Sequence, residues 1–516
     1  MKTITKASLL MLPAMASASC QKGDLKPASK PNIIYLMFDD LGYGDLGCYG
    51  QKGTETPNID ALASRGILFT DMYSACPLSA PSRCCLVTGK HMGHSQIRQN
   101  VNAHKEVDEN GRPLMYIDPD YEGQYAMLAG TPTIASMMKE AGYKTGMIGK
   151  WGLGNPGSES TPNKMGFDYF YGFMCQGRAH MYYPVYLWEN DTMFATGNEF
   201  VNPGTRLDEG ADPYDPRSYD KYTGRFYSPD LMFEKVQSFV KENSDAPFML
   251  FWTTTVPHSA VLAPEDEVLY YVDKYGDEEP RTDGGIKYFP NRYPVATYSA
   301  MITHIDTQVG LLVDQLKEQG IYDNTIFIVT SDNGPAANEN SPMEALQSGG
   351  PFRCRKGWGK SSVHEGGIRM PFIVAYGDNL KPGRTSHVSS FVDLMPTFAE
   401  LAGVEAPEND GISFLPTLRG KDSEQKEHEY LYWEFPSPKG FVAVRYGKWK
   451  GIIYDINEGG KEFELYDLDT DMQELNNVAD RHPDIISRMW EVVKESHEDP
   501  VLPPDKFKLN IPFPDN

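Results

Sequence analysis

PNIIYLMFDD, residues Pro31 to Asp40, holds an apolar run rich in β-formers, unbroken from Ile33 to Phe38, that stops at two carboxylates. A run of this length without polar alternation reads as a strand buried on both faces, with a polar C-terminal end. Similar runs recur at Tyr143 to Ile148, Phe248 to Trp252, Ile326 to Thr330 and Phe372 to Tyr376. Helical patterns separate them. TIASMMKEAG precedes the second run, and from Tyr298 to Gln319 apolar residues recur at three- and four-residue steps (Met301, Ile302, Ile305, Val309, Leu312, Leu316) before Gly320. Strands alternating with helices imply βαβ units, so the chain is α/β: a large mixed, mainly parallel sheet flanked by helices. Ligands of such sheets bind beyond the C-terminal strand ends, where Asp39-Asp40 and the SDNG of Ser331 to Gly334 both fall.

Outward from this core, Met181 to Lys235 is rich in Tyr, Pro, Asp and Gly without a clear period and reads as a long insertion over the sheet, with a substrate-facing role as one reading. Its Tyr186 to Trp188 reads better as core. The chain turns polar around Gly420 to Glu427. Beyond it YLYWEF, FVAVRYGKWKGIIY and FELYDL read as short antiparallel strands, and HPDIISRMWEVVKESH as a closing helix. The predicted organisation is a catalytic domain over 31–420 and a smaller α+β subdomain with a short antiparallel sheet over 421–516.

At the N-terminus Lys2 and Lys6 precede an apolar run from Ala7 to Ala18 that is too short to span a bilayer. This reads as a signal peptide over 1–19 with a tether over 20–30. Two processing routes stay open: cleavage after Ala16-Ser17-Ala18, or lipid attachment at Cys20. Either makes the protein exported, periplasmic or anchored to the outer membrane of a bacterium as a lipoprotein. The other six cysteines (Cys48, Cys76, Cys84, Cys85, Cys175, Cys354) form no CxxC pair and fix no disulfide pattern.

The 516 residues carry 48 Lys+Arg against 71 Asp+Glu, a net charge of −23. Nonspecific binding to nucleic acid or anionic membrane needs positive surface, which this balance argues against.

CPLSAPSRCCLVTGK, Cys76 to Lys90, contains Ser79-Ala80-Pro81-Ser82-Arg83 followed by Thr88-Gly89. It resembles the signature of the type I sulfatases, in which a Cys or Ser lying two residues before Pro and four before Arg becomes formylglycine. Ser79 fits that register and Cys76 does not. Further motifs resemble the family in the same order. Asp39, Asp40, Asp332 and Asn333 match its metal ligands, completed by the modified Ser79. All five offer oxygen, which hard cations prefer; the resemblance implies calcium, with magnesium as the alternative. GKWGLG at Gly149 matches a family segment whose lysine, here Lys150, contacts sulfate. The histidine that the family carries two residues later is Gly152 here, so the base of the last step stays open, with His91, His94 and His180 as candidates. His258 matches the histidine beside the leaving oxygen. Lys360, five residues before Glu365, matches a second sulfate-contacting lysine, with Lys356 as a rival.

The resemblance implies an alkaline phosphatase-like fold and a sulfuric ester hydrolase. Arg83, Lys150 and Lys360 would stabilise transition-state charge, and His258 would protonate the leaving oxygen. The two hydroxyls of hydrated formylglycine would serve nucleophilic attack and later release of sulfate. A serine at position 79 implies maturation by an anaerobic radical-type sulfatase-maturating enzyme. Resemblance to arylsulfatase A-like and galactosamine-sulfatase-like enzymes suggests galactose or N-acetylgalactosamine sulfate in mucin or glycosaminoglycan fragments, with aromatics and Arg178 and His180 of the insertion facing the sugar. The acidic balance fits an exo-acting enzyme if Arg83, Lys90, Arg98, Lys150, Lys356 and Lys360 focus positive charge in one pocket. Two other readings stand beside this one: a phosphodiesterase or phosphonate hydrolase of the alkaline phosphatase superfamily, and a lipoprotein that binds sulfated glycans without turnover.

Overall fold

The computed structural model describes residues 30–109, 111–282, 288–336, 342–502, 509 and 511. The signal-peptide and tether readings, including Cys20, lie outside these residues except for Lys30. Fifteen strands occur among the described residues: β1 Asn32–Phe38, β2 Ile67–Tyr73, β3 Lys144–Lys150, β4 Tyr169–Phe173, β5 Tyr186–Glu189, β6 Thr192–Ala195, β7 Phe248–Thr253, β8 Thr325–Ser331, β9 Arg369–Tyr376, β10 Gly383–Thr385, β11 Ser389–Ser390, β12 Tyr430–Phe435, β13 Phe441–Tyr446, β14 Trp449–Tyr454 and β15 Glu464–Asp467.

The first eleven form one sheet in the order β10-β2-β9-β8-β1-β7-β3-β4-β5-β6, with β11 on β2. Its centre, β8-β1-β7-β3-β4, is parallel throughout, as the βαβ reading expects. Departures from parallel pairing sit on the flanks. The run at Phe372 is antiparallel to both β8 and β2, and β5 and β6 are a hairpin on the far edge.

Strand β1 explains why its sequence is continuously apolar. Ile33, Tyr35 and Met37 enter the core on one side of the sheet, while Ile34, Leu36 and Phe38 enter the core on the other. On the second side lie helices α1 Pro57–Arg65, α4 Ser228–Glu242, α5 Glu265–Tyr275 and α6 Pro294–Glu318. The six periodic residues of α6 are all buried, and the helix begins one turn earlier than its periodicity predicts, at Pro294. On the first side lie α2 Ser79–Thr88, α3 Ile134–Glu140 and the helix Leu394–Ala402.

The second sheet, β12-β13-β14-β15, is antiparallel and is covered by the helix Pro483–Ser496 through Met489, Val492 and Val493. Its opposite face supplies Leu431, Trp433 and Ile452 to the main core. Buried polar contacts fix the junction: Trp433 Nε1 donates to the Ser74 carbonyl at 2.8 Å, and Lys450 pairs with Glu365 at 2.8 Å.

The 181–235 region is irregular over 196–227 apart from the 3-10 helix Pro216–Tyr222, as expected, and departs from that expectation at its ends, which contribute the β5–β6 hairpin to the sheet edge and the first turns of α4. Tyr186 and Trp188 are buried core residues, as their apolar context predicts.

Candidate active site

Four adjacent parallel strands deliver the predicted chemistry to one place. β1 and β8 pair in register so that Phe38 faces Ser331; the next residues, Asp39-Asp40 and Asp332-Asn333, therefore leave the sheet side by side. β3 ends on Lys150, and the segment after β7 carries His258. Ser79 stands at the first turn of α2, where the aligned peptide dipoles give the helix end positive character. All of these side chains are buried.

Ser79 Oγ lies 3.3 Å from Asp39 Oδ1, 3.2 Å from Asn333 Oδ1 and 3.4 Å from Lys150 Nζ. Lys150 also bonds Asp39. Arg83, one helical turn on from Ser79, donates through Nε and Nη2 to Asp332 Oδ2 at 3.1 and 2.9 Å, and through Nη1 to the Lys150 carbonyl at 2.7 Å. Asp40 takes a left-handed backbone conformation (φ 65°) and its N–H donates to Asp332 Oδ1 at 3.2 Å. Lys360 Nζ pairs with Asp40, and Asn333 Nδ2 donates to Asp40 Oδ1 at 2.8 Å.

Burial raises Asp40 to a pKa of about 6 despite Lys360. For Asp39 burial acts in the same direction, but Lys150, Arg83 and Lys360 outweigh it and hold the carboxyl below its usual range. Burial lowers Lys150, with Asp39 opposing, whereas Asp40 and Asp39 overcome burial to raise Lys360. Burial, then Lys360 and Lys150, push His258 well below the ordinary histidine value, so its ring is neutral. Its Nδ1 meets the Ser259 carbonyl, and its Nε2 lies 3.4 Å from Asp40 Oδ2. With Nδ1 donating to that carbonyl, Nε2 is the ring nitrogen left facing the Asp40 carboxylate.

The oxygen donors of Asp39, Asp40, Asp332, Asn333 and Ser79 thus fit a hard divalent cation. Asp39, Asp40 and His258 place ligand atoms within 4.8 Å of one another.

The remaining predicted residues divide. His180 stacks on His258, with ring centroids 4.2 Å apart and planes 10° apart, and Tyr288 lies 5.6 Å from the His180 ring. Arg178 is not available to a sugar. It is fully buried, pairing with Glu122 at 2.9 Å, donating to the Tyr186 carbonyl at 3.0 Å and lying over the Tyr186 ring. His91 and His94 follow α2, a helix about 15 Å long, and so lie at the opposite end from Ser79. There they stack on each other beside Asp410, lining a separate cavity of about 290 Å³. Lys356 is exposed while Lys360 reaches Asp40, which separates the two rivals. The expected cluster of six basic groups reduces to Arg83, Lys150 and Lys360, because Lys90 pairs with Glu408 and Arg98 with Glu434. The six described cysteines are all free.

Two residues beside the site carried no pattern in the sequence. Tyr288 stands in the short segment YFPNRY, which matches none of the motifs. Gln176 is a lone glutamine whose only sequence signal is indirect, the missing side chain at Gly152: a β-carbon there would lie 1.8 Å from Gln176 Nε2.

The sulfatase family model matches residues 31–404, and a model described as N-sulphoglucosamine sulphohydrolase, C-terminal, matches 355–499. An N-acetylgalactosamine-6-O-sulfatase of Bacteroides thetaiotaomicron is 27% identical over 96% of this chain and 99% of its own length. Human arylsulfatase A is 30% identical over 83% of this chain and 76% of its own. Among solved structures, Ps i-CgsB in complex with k-i-k-neocarrahexaose superposes with a TM-score of 0.66 at 25% identity, covering 92% of this chain and 94% of that one.

Proposed function

Because this chain belongs to the sulfatase family and is a sulfuric ester hydrolase, we propose that it removes sulfate from a sugar, with Ser79 matured to formylglycine and calcium as the resident cation. The observation that carries this reading is the convergence on Ser79 Oγ of Asp39, Asn333 and Lys150, all within 3.4 Å. The proposed substrate is galactose or N-acetylgalactosamine sulfate at the end of a mucin or glycosaminoglycan fragment. The names of the N-acetylgalactosamine-6-sulfatase relatives support this choice.

Asp39, Asp40, Asp332, Asn333 and the modified Ser79 would hold the cation, which when bound neutralises sulfate oxygens and lowers the pKa of a nucleophilic hydroxyl. Formylglycine, when formed, supplies a hydrated aldehyde with two hydroxyls. Around these groups the chain does the positioning. Arg83 clamps Asp332 with two bonds and ties it to the end of β3 through the Lys150 carbonyl. Lys150 and Lys360 bring fixed positive charge to an ester whose transition state spreads negative charge. His258, anchored through Nδ1, presents Nε2 to the leaving oxygen. The His180–His258 stack with Tyr288 offers an aromatic wall on which a sugar ring can pack.

We further propose export to the periplasm or outer membrane, maturation by an anaerobic-type sulfatase-maturating enzyme and exo action on short fragments. With three site cations in a chain of net charge −23, a single terminal sulfate is favoured over a long polyanion.

The test is sulfate release from a panel of position-defined sulfated mono- and disaccharides by protein matured in an anaerobic host. Release by wild type that is lost in Ser79→Ala supports the reading. Matured protein that binds these sugars without releasing sulfate would overturn it in favour of a glycan-binding role.

A further inference from the structure

Resting on that reading of the site, we propose that the carboxamide of Gln176 contacts the substrate, hydrogen-bonding the sulfate ester beside Lys150 from the place where a side chain at position 152 would stand.

Three observations lead there. Gln176 is 4% exposed, yet neither Nε2 nor Oε1 has a hydrogen-bond partner among the described residues. Leaving an amide unpaired in a protein interior is costly, so a buried amide with both ends open is one that a ligand can complete. Its position is fixed by its neighbours. The Gln176 N–H donates to Gln124 Oε1 at 2.7 Å, and Gln124 is held in turn through Asn102 and Asn155. The segment therefore presents the amide from a braced backbone.

Second, the amide lies against the strand end that carries the site. The Trp151 and Gly152 N–H groups donate to the Phe173 and Met174 carbonyls, both at 3.0 Å, which draws the 150–152 and 173–176 segments together. Lys150, two residues before Gly152, reaches Asp39 and Ser79.

Third, Gly152 is matched to this arrangement. It has φ 77°, a conformation costly for residues with a β-carbon. A β-carbon would also fall 1.8 Å from Gln176 Nε2 and 2.6 Å from its Cδ. Glycine at 152 and the long amide at 176 thus share one volume, and only one of them can fill it.

The chemistry of this group sets its role. A carboxamide donates through Nε2 to a sulfate oxygen or accepts a sugar hydroxyl through Oε1, and it does neither acid nor base catalysis near neutral pH. Gln176 therefore binds and orients the ester, and proton transfer falls to other groups of the site.

The experiment uses matured full-length enzyme and reads two quantities: kcat/KM on the sulfated sugar that wild type turns over, and the inhibition constant of inorganic sulfate. Loss of one preorganised donor typically costs about 100-fold or more in rate. Gln176→Ala is expected to lose that much in kcat/KM and to weaken sulfate inhibition. Gln176→Glu, of the same size but negatively charged, is expected to weaken it further. Gly152→Ala, which leaves Gln176 in the chain but pushes its amide aside, is expected to behave like Gln176→Ala, and the double variant to be no worse than either single one. Thermal unfolding of each variant separates these losses from loss of fold, and sulfate inhibition is measured on the folded fraction. Gln176→Ala with wild-type kcat/KM and wild-type sulfate inhibition would overturn the inference and leave the sulfatase reading intact. If wild type releases no sulfate from any sugar, it is the sulfatase reading that fails.

Discussion

Lys360 Nζ stands 2.6 Å from Asp40 Oδ1 and 2.8 Å from Asp40 Oδ2, joining residues 320 apart in sequence at the mouth of β1. The lysine both offsets a buried carboxylate and carries positive charge at the position proposed for the ester. Lys360→Met is expected to lower kcat/KM by about 100-fold or more. It should still bind calcium, since every oxygen donor stays in place. Steady-state kinetics paired with calorimetric calcium titration checks both halves.

Removing the cation is expected to inactivate the enzyme without unfolding it, because Lys150 and Lys360 pair with Asp39 and Asp40 in its absence. Calcium added back at about 100 times its Kd should then stabilise the fold by about 2.7 kcal/mol. Asn333→Ala, which deletes one oxygen donor without changing charge, should shrink that gain. Denaturant unfolding with and without calcium measures it.

Arg178 gives a contrasting prediction. Its partner Glu122 also accepts from Tyr186 Oη at 3.0 Å, Trp188 Nε1 at 2.8 Å and the Cys175 N–H at 3.1 Å. Arg178→Met leaves that buried carboxylate without its cation, a change that costs about 3–5 kcal/mol. The loss should appear in the denaturation midpoint. Double replacement of Arg178 and Glu122 by Met and Gln should recover part of it.

His304 links stability to pH. Burial disfavours its charge, but hydrogen bonds to Asp230 and Glu267, both at 2.7 Å, raise its pKa to about 9. The folded value exceeds the ordinary 6.5, so the charged ring stabilises the fold fully below that pH, and the gain is lost as pH rises through about 9. It amounts to roughly 2 kcal/mol, since Asp230 is half exposed and screened. Urea unfolding of wild type and His304→Asn across this range should show the two curves converging at high pH.

Where the chemistry followed an apolar run, the sequence was legible. Asp39-Asp40 and Asp332-Asn333 each end a strand with both faces buried, and in-register parallel pairing makes such ends meet. Strand β2 was missed because Thr70 and Asp71 interrupt its apolar pattern; Asp71 is tolerated there only because Arg369 and Arg445 pair with it from distant segments. Arg178 and His91 misled for a related reason. Polar residues near a motif in sequence look like site residues until the fold shows that Glu122 buries one and the length of α2 carries the other away. Gln176 had no pattern of its own. Its importance emerges only from the volume it shares with Gly152.

The role proposed for Ser79 is tested most directly by the mass of its peptide from enzyme that is actively releasing sulfate. The expected peptide is lighter than the unmodified sequence by the mass of one hydrogen molecule, as oxidation of the serine alcohol to formylglycine requires. Full activity in material whose Ser79 is an unmodified serine would contradict it.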